Sequence, residues 1–132
     1  MTMFSGFHTS ATGLTAQRLR LDTVSANIAN AQTTRGELVN GEWQPYARKL
    51  AVLKETGNGV TVSEIRKDQE PFKLEYNPNN PDADELGYVK MPNVDLLKEM
   101  VDMMGATRSY EANVTALNAT KAMLVKAMEI GK

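Results

Sequence analysis

The chain has 132 residues, of which 42% are hydrophobic, 23% are charged and 6% are aromatic, and its net charge is −1. This balance is typical of one small folded domain, and the near-neutral charge excludes the basic surface that nucleic-acid-binding proteins carry. The chain contains no cysteine, which excludes disulfides, cysteine nucleophiles and thiolate metal sites. No stretch of the sequence reaches the ~18 consecutive apolar residues of a membrane-spanning helix.

The first predicted element is a helix within an N-terminal assembly segment, residues 1–35. Apolar residues recur every seven positions from Phe7 to Ile28, a period typical of a coiled-coil-like seam. An amphipathic helix packed on the core of its own domain would show the same period, so the pattern alone leaves both readings open. Glycine and many Ser and Thr residues make this stretch a poor helix former. We therefore expect it to be disordered in the free monomer.

The same N-terminal stretch bears on export. It has neither the basic n-region nor the continuous apolar run of ~7–15 residues that a cleaved secretory signal requires. We expect any export of this chain to proceed without a cleaved signal peptide.

The middle segment, residues 36–91, changes to the alternating pattern of short β-strands. Asn40-Gly41 separates ELV from EWQ, and both residues tolerate the positive φ of a two-residue hairpin turn. Gly57-Asn58-Gly59 separates a second pair of strands, and alternation returns after Pro71. A polar, proline-punctuated loop is predicted over residues 76–84. The sequence therefore predicts two or three hairpins in a small outer domain, with three packing anchors: Trp43, Tyr46 and Phe72.

The last segment, residues 92–132, is predicted to form one long assembly helix. Asn93 is a candidate N-cap, Asp95 complements the helix dipole in the first turn, and Gly131 ends the helix. At ~1.5 Å per residue this helix exceeds the first by one or two turns, so pairing of the two leaves part of its seam uncovered. The predicted fold is mainly α with a small β insert, in which the long terminal helices pair as a coiled-coil-like stalk.

Both terminal helices lack charge where a solvated helix normally carries Lys and Glu. Residues 23–34 contain no charged side chain, and residues 109–120 contain only Glu111. Such faces indicate contact with further protein, which other copies or partner chains must supply. The predicted assembly-interface residues are Phe7, Leu14, Leu21, Val24, Asn27, Ile28, Asn30, Leu96, Met100, Met103, Tyr110, Asn113, Val114, Leu117, Leu124 and Met128.

Residues that carry chemistry are scarce. His8 is the only histidine, so the common nucleophile–base pairs are unavailable. A calcium loop read from Asp82 fails at its fifth position, Leu86, and at its twelfth, Asn93, where a bidentate Glu is required. A capped polar turn leading into Tyr88 is the favoured reading of this stretch. We predict no enzyme activity, no cofactor, no metal and no small-molecule substrate.

The sequence also resembles a known family. Residues 21–33, LDTVSANIANAQT, resemble the N-terminal signature shared by bacterial flagellar rod and hook proteins, the flagellar axial family. Four stretches of the second half are similar to the proximal-rod members of that family: YNPNNPDADE at 76–85, GYVKMPNV at 87–94, EMVDM at 99–103 and RSYEANVTALNATK at 108–121.

The resemblance implies a structural subunit of the flagellar basal-body rod in the cell envelope. Members of this family are expected to polymerise through their terminal helices into a hollow helical drive shaft that transmits torque. It further implies export in the unfolded state by the flagellar type III export apparatus and a periplasmic location. The implied partners are further copies of the chain, other flagellar rod proteins, basal-body ring components and export-gate components.

Two alternatives remain open at the level of the sequence. One is a different rod or hook component of the same family. The other is a cytoplasmic coiled-coil adaptor, which predicts charged residues beside the seam to select a partner. Residues 109–120 nearly lack such charges, which favours the axial family.

Overall fold

The structure is a computed structural model that describes residues 3–131, and over this range it contains two long helices and three β-hairpins. The elements are α1 (Met3–Ala29), β1 (Glu37–Val39), β2 (Glu42–Gln44), β3 (Lys49–Thr56), β4 (Gly59–Lys67), β5 (Lys73–Tyr76), β6 (Tyr88–Met91) and α2 (Leu96–Ile130). The predicted fold class, two long terminal helices around a small β insert, is confirmed. The predicted segments 1–35 and 92–132 extend to residues 1, 2 and 132, which lie outside the described residues.

The two helices form an antiparallel pair. Near one end, the amide of Asn27 donates a hydrogen bond to Glu99 at 3.0 Å. Near the other end, a Cβ added to Gly13 would lie only 2.9 Å from the amide nitrogen of Asn113. The two contacts are separated by the same number of residues on each helix, from 13 to 27 on α1 and from 99 to 113 on α2. The two helices therefore keep one register between these contacts. Because α1 has 27 residues and α2 has 35, the C-terminal turns of α2 extend beyond the start of α1.

Local turn chemistry explains the hairpins. Asn40 and Gly41 have φ values of 52° and 83°, the left-handed conformation that a two-residue hairpin turn requires, and Val39 pairs with Glu42 across it. Gly57 and Asn58 connect β3 to β4, where Thr56 pairs with Gly59, and the positive φ of this turn, 149°, belongs to Gly59. The polar loop predicted over residues 76–84 lies between the antiparallel strands β5 and β6, except for Tyr76, which is the last residue of β5 and pairs with Tyr88. The predicted hairpins are confirmed.

The longest hairpin, β3–β4, lies alongside α1. At its base, the backbone N–H of Lys49 donates to Asn27 at 2.9 Å. At its tip, the hydroxyl of Thr9 donates to the carbonyl of Asn58 at 3.2 Å. One side of α1 therefore contacts the hairpin while another contacts α2. The buried apolar core of the described residues is small: Ala16, Val24, Val89, Val94 and Ala106.

The start of α2 differs from the prediction. Asp95 is the N-cap, and its carboxylate accepts the N–H groups of Leu97 at 3.0 Å and Lys98 at 3.4 Å. Asn93, the predicted cap, is buried and lies two residues too early. Its side chain instead connects the backbones of Arg48 and Glu70. The predicted role of Asn93 as a cap is therefore wrong.

The predicted packing anchors behave differently from one another. Trp43 is 53% exposed, and Leu38, its partner across the β1–β2 hairpin, is also mostly exposed. Two three-residue strands have too little surface to bury a ring, so the prediction for Trp43 is wrong. Tyr46 is half-buried and donates a hydrogen bond to Asn27 at 2.9 Å. Phe72 is also half-buried.

Candidate assembly interface

A buried polar cluster joins the two helices to the β insert. Glu99 of α2 is 0% exposed. It accepts hydrogen bonds from Arg48, which precedes β3, and from Asn27 of α1. A buried charge is stable only when it is paired and hydrogen-bonded, so the three residues depend on one another. The cluster fixes where the C-terminal end of α1 meets the N-terminal end of α2.

Asn27 uses its whole side chain inside the chain. Its amide nitrogen donates to Glu99 and to the carbonyl of Lys49, and its oxygen accepts from Tyr46 and from the N–H of Lys49. Burial, followed by the negative charge of Glu99, raises the pKa of Tyr46 above its ordinary value. Tyr46 therefore remains a neutral hydrogen-bond donor at physiological pH.

Arg48 extends the cluster towards the surface. Its guanidinium lies 2.9 Å from Asp68 and 3.3 Å from Asp102. Burial acts to lower the pKa of Arg48, but hydrogen bonds to Glu99 and Asp68 outweigh it and raise the pKa overall. The backbone N–H of Glu70, followed by Arg48, lowers the pKa of Asp68. The pKa shifts of Arg48 and Asp68 favour the ionised forms in which these two side chains pair.

A second polar contact closes the loop after α1. Asp82 accepts hydrogen bonds from Thr34 at 2.7 Å and from Arg35 at 2.8 Å, and these bonds, that of Thr34 first, lower its pKa. Asp84 accepts the N–H groups of Leu86 and Tyr88, both at 2.9 Å. This is the capped polar turn that the sequence favours over a calcium loop. Within residues 3–131 no group of His, Cys, Asp or Glu side chains is arranged to hold a metal ion.

The predicted interface residues fall into three environments. Val24 and Asn27 are buried within the chain, so they shape the helix pair rather than its outer surface. Half-buried positions along the pair are Leu14, Leu21, Ile28, Asn30, Met103, Asn113, Val114, Leu117 and Leu124. Exposed positions are Phe7, Leu96, Met100, Tyr110 and Met128. Their role in assembly stays a prediction.

The start of α2 carries an apolar stripe that the sequence reasoning missed in part. Leu97, Met100, Val101 and Met104 follow the spacing of one helix face, and each is between 55% and 73% exposed. Only Met100 had been assigned to an interface. Counting by sevens from Leu96 selects the side of α2 that packs along α1, whereas the i, i+3, i+4, i+7 pattern identifies this outward face.

The far end of α2 is also apolar and uncovered. Val125, Met128 and Ile130 are exposed where the helix extends beyond α1. Leaving several large apolar side chains in water forgoes about 1.5–3 kcal/mol each. No helix of the described part of the chain is long and apolar enough to span a membrane. Because burial of apolar side chains is favourable, such exposed faces favour contact with other proteins.

The chain has terminal helices that pair beside small hairpins and leave apolar faces outward. Both ends of the chain match family models of flagellar rod proteins. A family model described as Flagella basal body rod protein matches residues 7–35. Another, described as Flagellar basal body rod FlgEFG protein C-terminal, matches residues 85–130. The class is thus that of flagellar basal-body rod proteins.

Whole-length relatives narrow the class to one family. The flagellar basal-body rod protein FlgC of Bacillus subtilis is 53% identical to the chain, with 100% of both covered. The FlgC proteins of Escherichia coli O157:H7 and Borreliella burgdorferi are 41% and 40% identical, with 100% and 98% of both chains covered. The chain belongs to the FlgC family of flagellar basal-body rod proteins. It is a structural component of the rod in the flagellar basal body and assembles there with other rod and basal-body components.

Proposed function

We propose that this chain polymerises through its terminal helices into part of a hollow helical shaft, which transmits torque along the flagellum. The exposed apolar stripe Leu97–Met100–Val101–Met104 supports the proposal, because residues 3–131 of a single chain leave it uncovered. Copies packed side by side bury such faces and leave a central channel through which later subunits pass. The small hairpin domain points outward from this tube.

The proposal includes the route and the partners. The chain is exported unfolded by the flagellar type III export apparatus without a cleaved signal, and it assembles in the periplasmic space. Its neighbours are further copies, other rod proteins, and ring and export-gate components of the basal body. Its segment 1–35 is disordered before assembly and folds as α1 on neighbouring chains. Its role is mechanical and involves no catalysis.

Deletion of the gene, followed by imaging of isolated basal bodies, tests the proposal. We expect basal bodies that stop before the rod is complete, and cells that do not swim. Expression of the wild-type chain from a plasmid restores both. Complete rods in the deletion strain would contradict the proposal, as would a wild-type chain that never appears in purified basal bodies.

A further inference from the structure

Each helix of the pair carries one continuous line of exposed side chains on the side that faces away from the other helix. On α1 the line includes Thr15, Arg18, Asp22 and Ser25. On α2 it includes Met104, Arg108, Glu111 and Thr115. Three-and-four spacing keeps each set on one helix face, and the face of α2 that meets α1 is marked instead by Glu99, Ala106 and Asn113.

These two lines contain four charges without an ion-pair partner among residues 3–131: Arg18, Asp22, Arg108 and Glu111. On the inner side of the helix pair, by contrast, Arg20 of α1 forms an ion pair with Asp102 of α2 at 3.9 Å. Between residues 103 and 120, Arg108 and Glu111 are the only charges on α2. An otherwise uncharged surface thus keeps one cation and one anion on each helix.

The order of the charges is complementary. Along the axis of the pair, α1 presents Arg18 and then Asp22, while the antiparallel α2 presents Glu111 and then Arg108. In the register set by Gly13 and Asn113, Arg18 is level with Arg108. A shift of three to four residues, about one helical turn or ~5 Å, brings Arg108 level with Asp22 and Glu111 level with Arg18.

We infer that the outward line of α1 in one copy docks against the outward line of α2 in the next copy, displaced along the axis by about one turn. This inference rests on the proposed function and names the partner surface. The same displacement places Met104 beside Ser25 and Val101 beside Ala29, so the apolar stripe meets small side chains. Two different faces of the chain meet, and each copy sits about one turn higher than the last, which generates a helix rather than a flat ring.

Charge reversal tests the pairing in cells that lack the wild-type gene. Arg108→Asp and Asp22→Arg, each alone, place like charges together, and we expect about fivefold less chain in isolated basal bodies and reduced swimming. The double variant Arg108→Asp/Asp22→Arg restores both, because each copy then supplies a reversed partner. The mismatched double variant Arg108→Asp/Arg18→Glu restores neither. Wild-type incorporation of both single variants would overturn the inference.

The same experiment separates a second copy from another rod protein. If Arg108 paired with a different subunit, Asp22→Arg in this chain would fail to rescue Arg108→Asp. That outcome contradicts docking between copies. It leaves the proposed function intact, because the wild-type chain still enters the rod.

The absence of cysteine allows a direct measurement of contact. With Ser25→Cys and Met104→Cys in one chain, mild oxidation of basal bodies should give a ladder of cross-linked copies, since disulfides require Cα atoms within about 7 Å. Either variant alone gives none. The control pair Ser25→Cys and Thr115→Cys, which lie some ten residues apart in the proposed register, also gives none. No ladder from the first pair, or dimers from Met104→Cys alone, would contradict the proposed contact.

Discussion

Replacement of the buried Asn93 tests how the β insert is attached to α2. Its oxygen accepts the backbone N–H of Arg48 at 2.7 Å, and its amide donates to the carbonyl of Glu70 at 2.9 Å. Asn93→Ala removes both bonds and introduces no new group. The side chain and Arg48 are each only 6% exposed, so water has little access to the freed N–H.

The expected loss follows from these two bonds. A buried N–H left without a partner costs about 1–3 kcal/mol, and an ordinary hydrogen bond contributes about 0.5–1.5 kcal/mol. We therefore expect Asn93→Ala to lower the free energy of unfolding by about 2–4 kcal/mol. The N-cap variant Asp95→Ala should cost less, about 1 kcal/mol.

Urea denaturation of the purified chain, followed by circular dichroism, measures these losses. Asn118→Ala is the matched control, because Asn118 is exposed on α2 and alanine favours helix, so its change should stay within about 0.5 kcal/mol. A loss for Asn93→Ala below about 1 kcal/mol, or below that of Asp95→Ala, would refute the assignment of Asn93 as an internal connector.

Three further predictions concern the cluster, the helix seam and the close approach of the helices. The pKa of Asp68 is lowered in the folded chain, so the ionised carboxylate stabilises the fold above about pH 4, and this stabilisation is lost as the pH falls below that value. In Asp68→Asn the free energy of unfolding should therefore fall less steeply as the pH is lowered. Leu117→Asp should abolish rod assembly and swimming while circular dichroism still reports the hairpins, and normal swimming would contradict the predicted seam. Gly13→Val should separate α1 from Asn113 of α2 in the assembled rod and lower the amount of chain in isolated basal bodies, whereas wild-type incorporation would argue against close approach.

The parts of the fold that the sequence predicts correctly depend on local chemistry. Asn40 and Gly41 adopt the positive φ that both residue types tolerate, and Gly131 follows the last helical residue of α2 as expected. The buried cluster could not be predicted in this way. Arg48 and Glu99 are 51 residues apart in the chain, and nothing in their local pattern distinguishes them from surface charges.

The candidate interface was predicted only in part, for a geometric reason. A seven-residue count finds the side on which two helices pack together. The β3–β4 hairpin covers a further face of α1, and the count cannot identify that face. Asn27 was assigned to an outer interface, yet its four hydrogen bonds all lie inside the chain. A seven-residue count from Leu96 does not include Leu97 and Val101, which lie on the outward face of α2.

Amide hydrogen exchange, compared between the purified chain and the chain within isolated basal bodies, tests the central claim most directly. The account predicts fast exchange over residues 1–35 in the free chain and strong protection of α1 and α2 once the outer faces are covered in the rod. Equal, strong protection of both helices in a dilute, unassociated chain would contradict it.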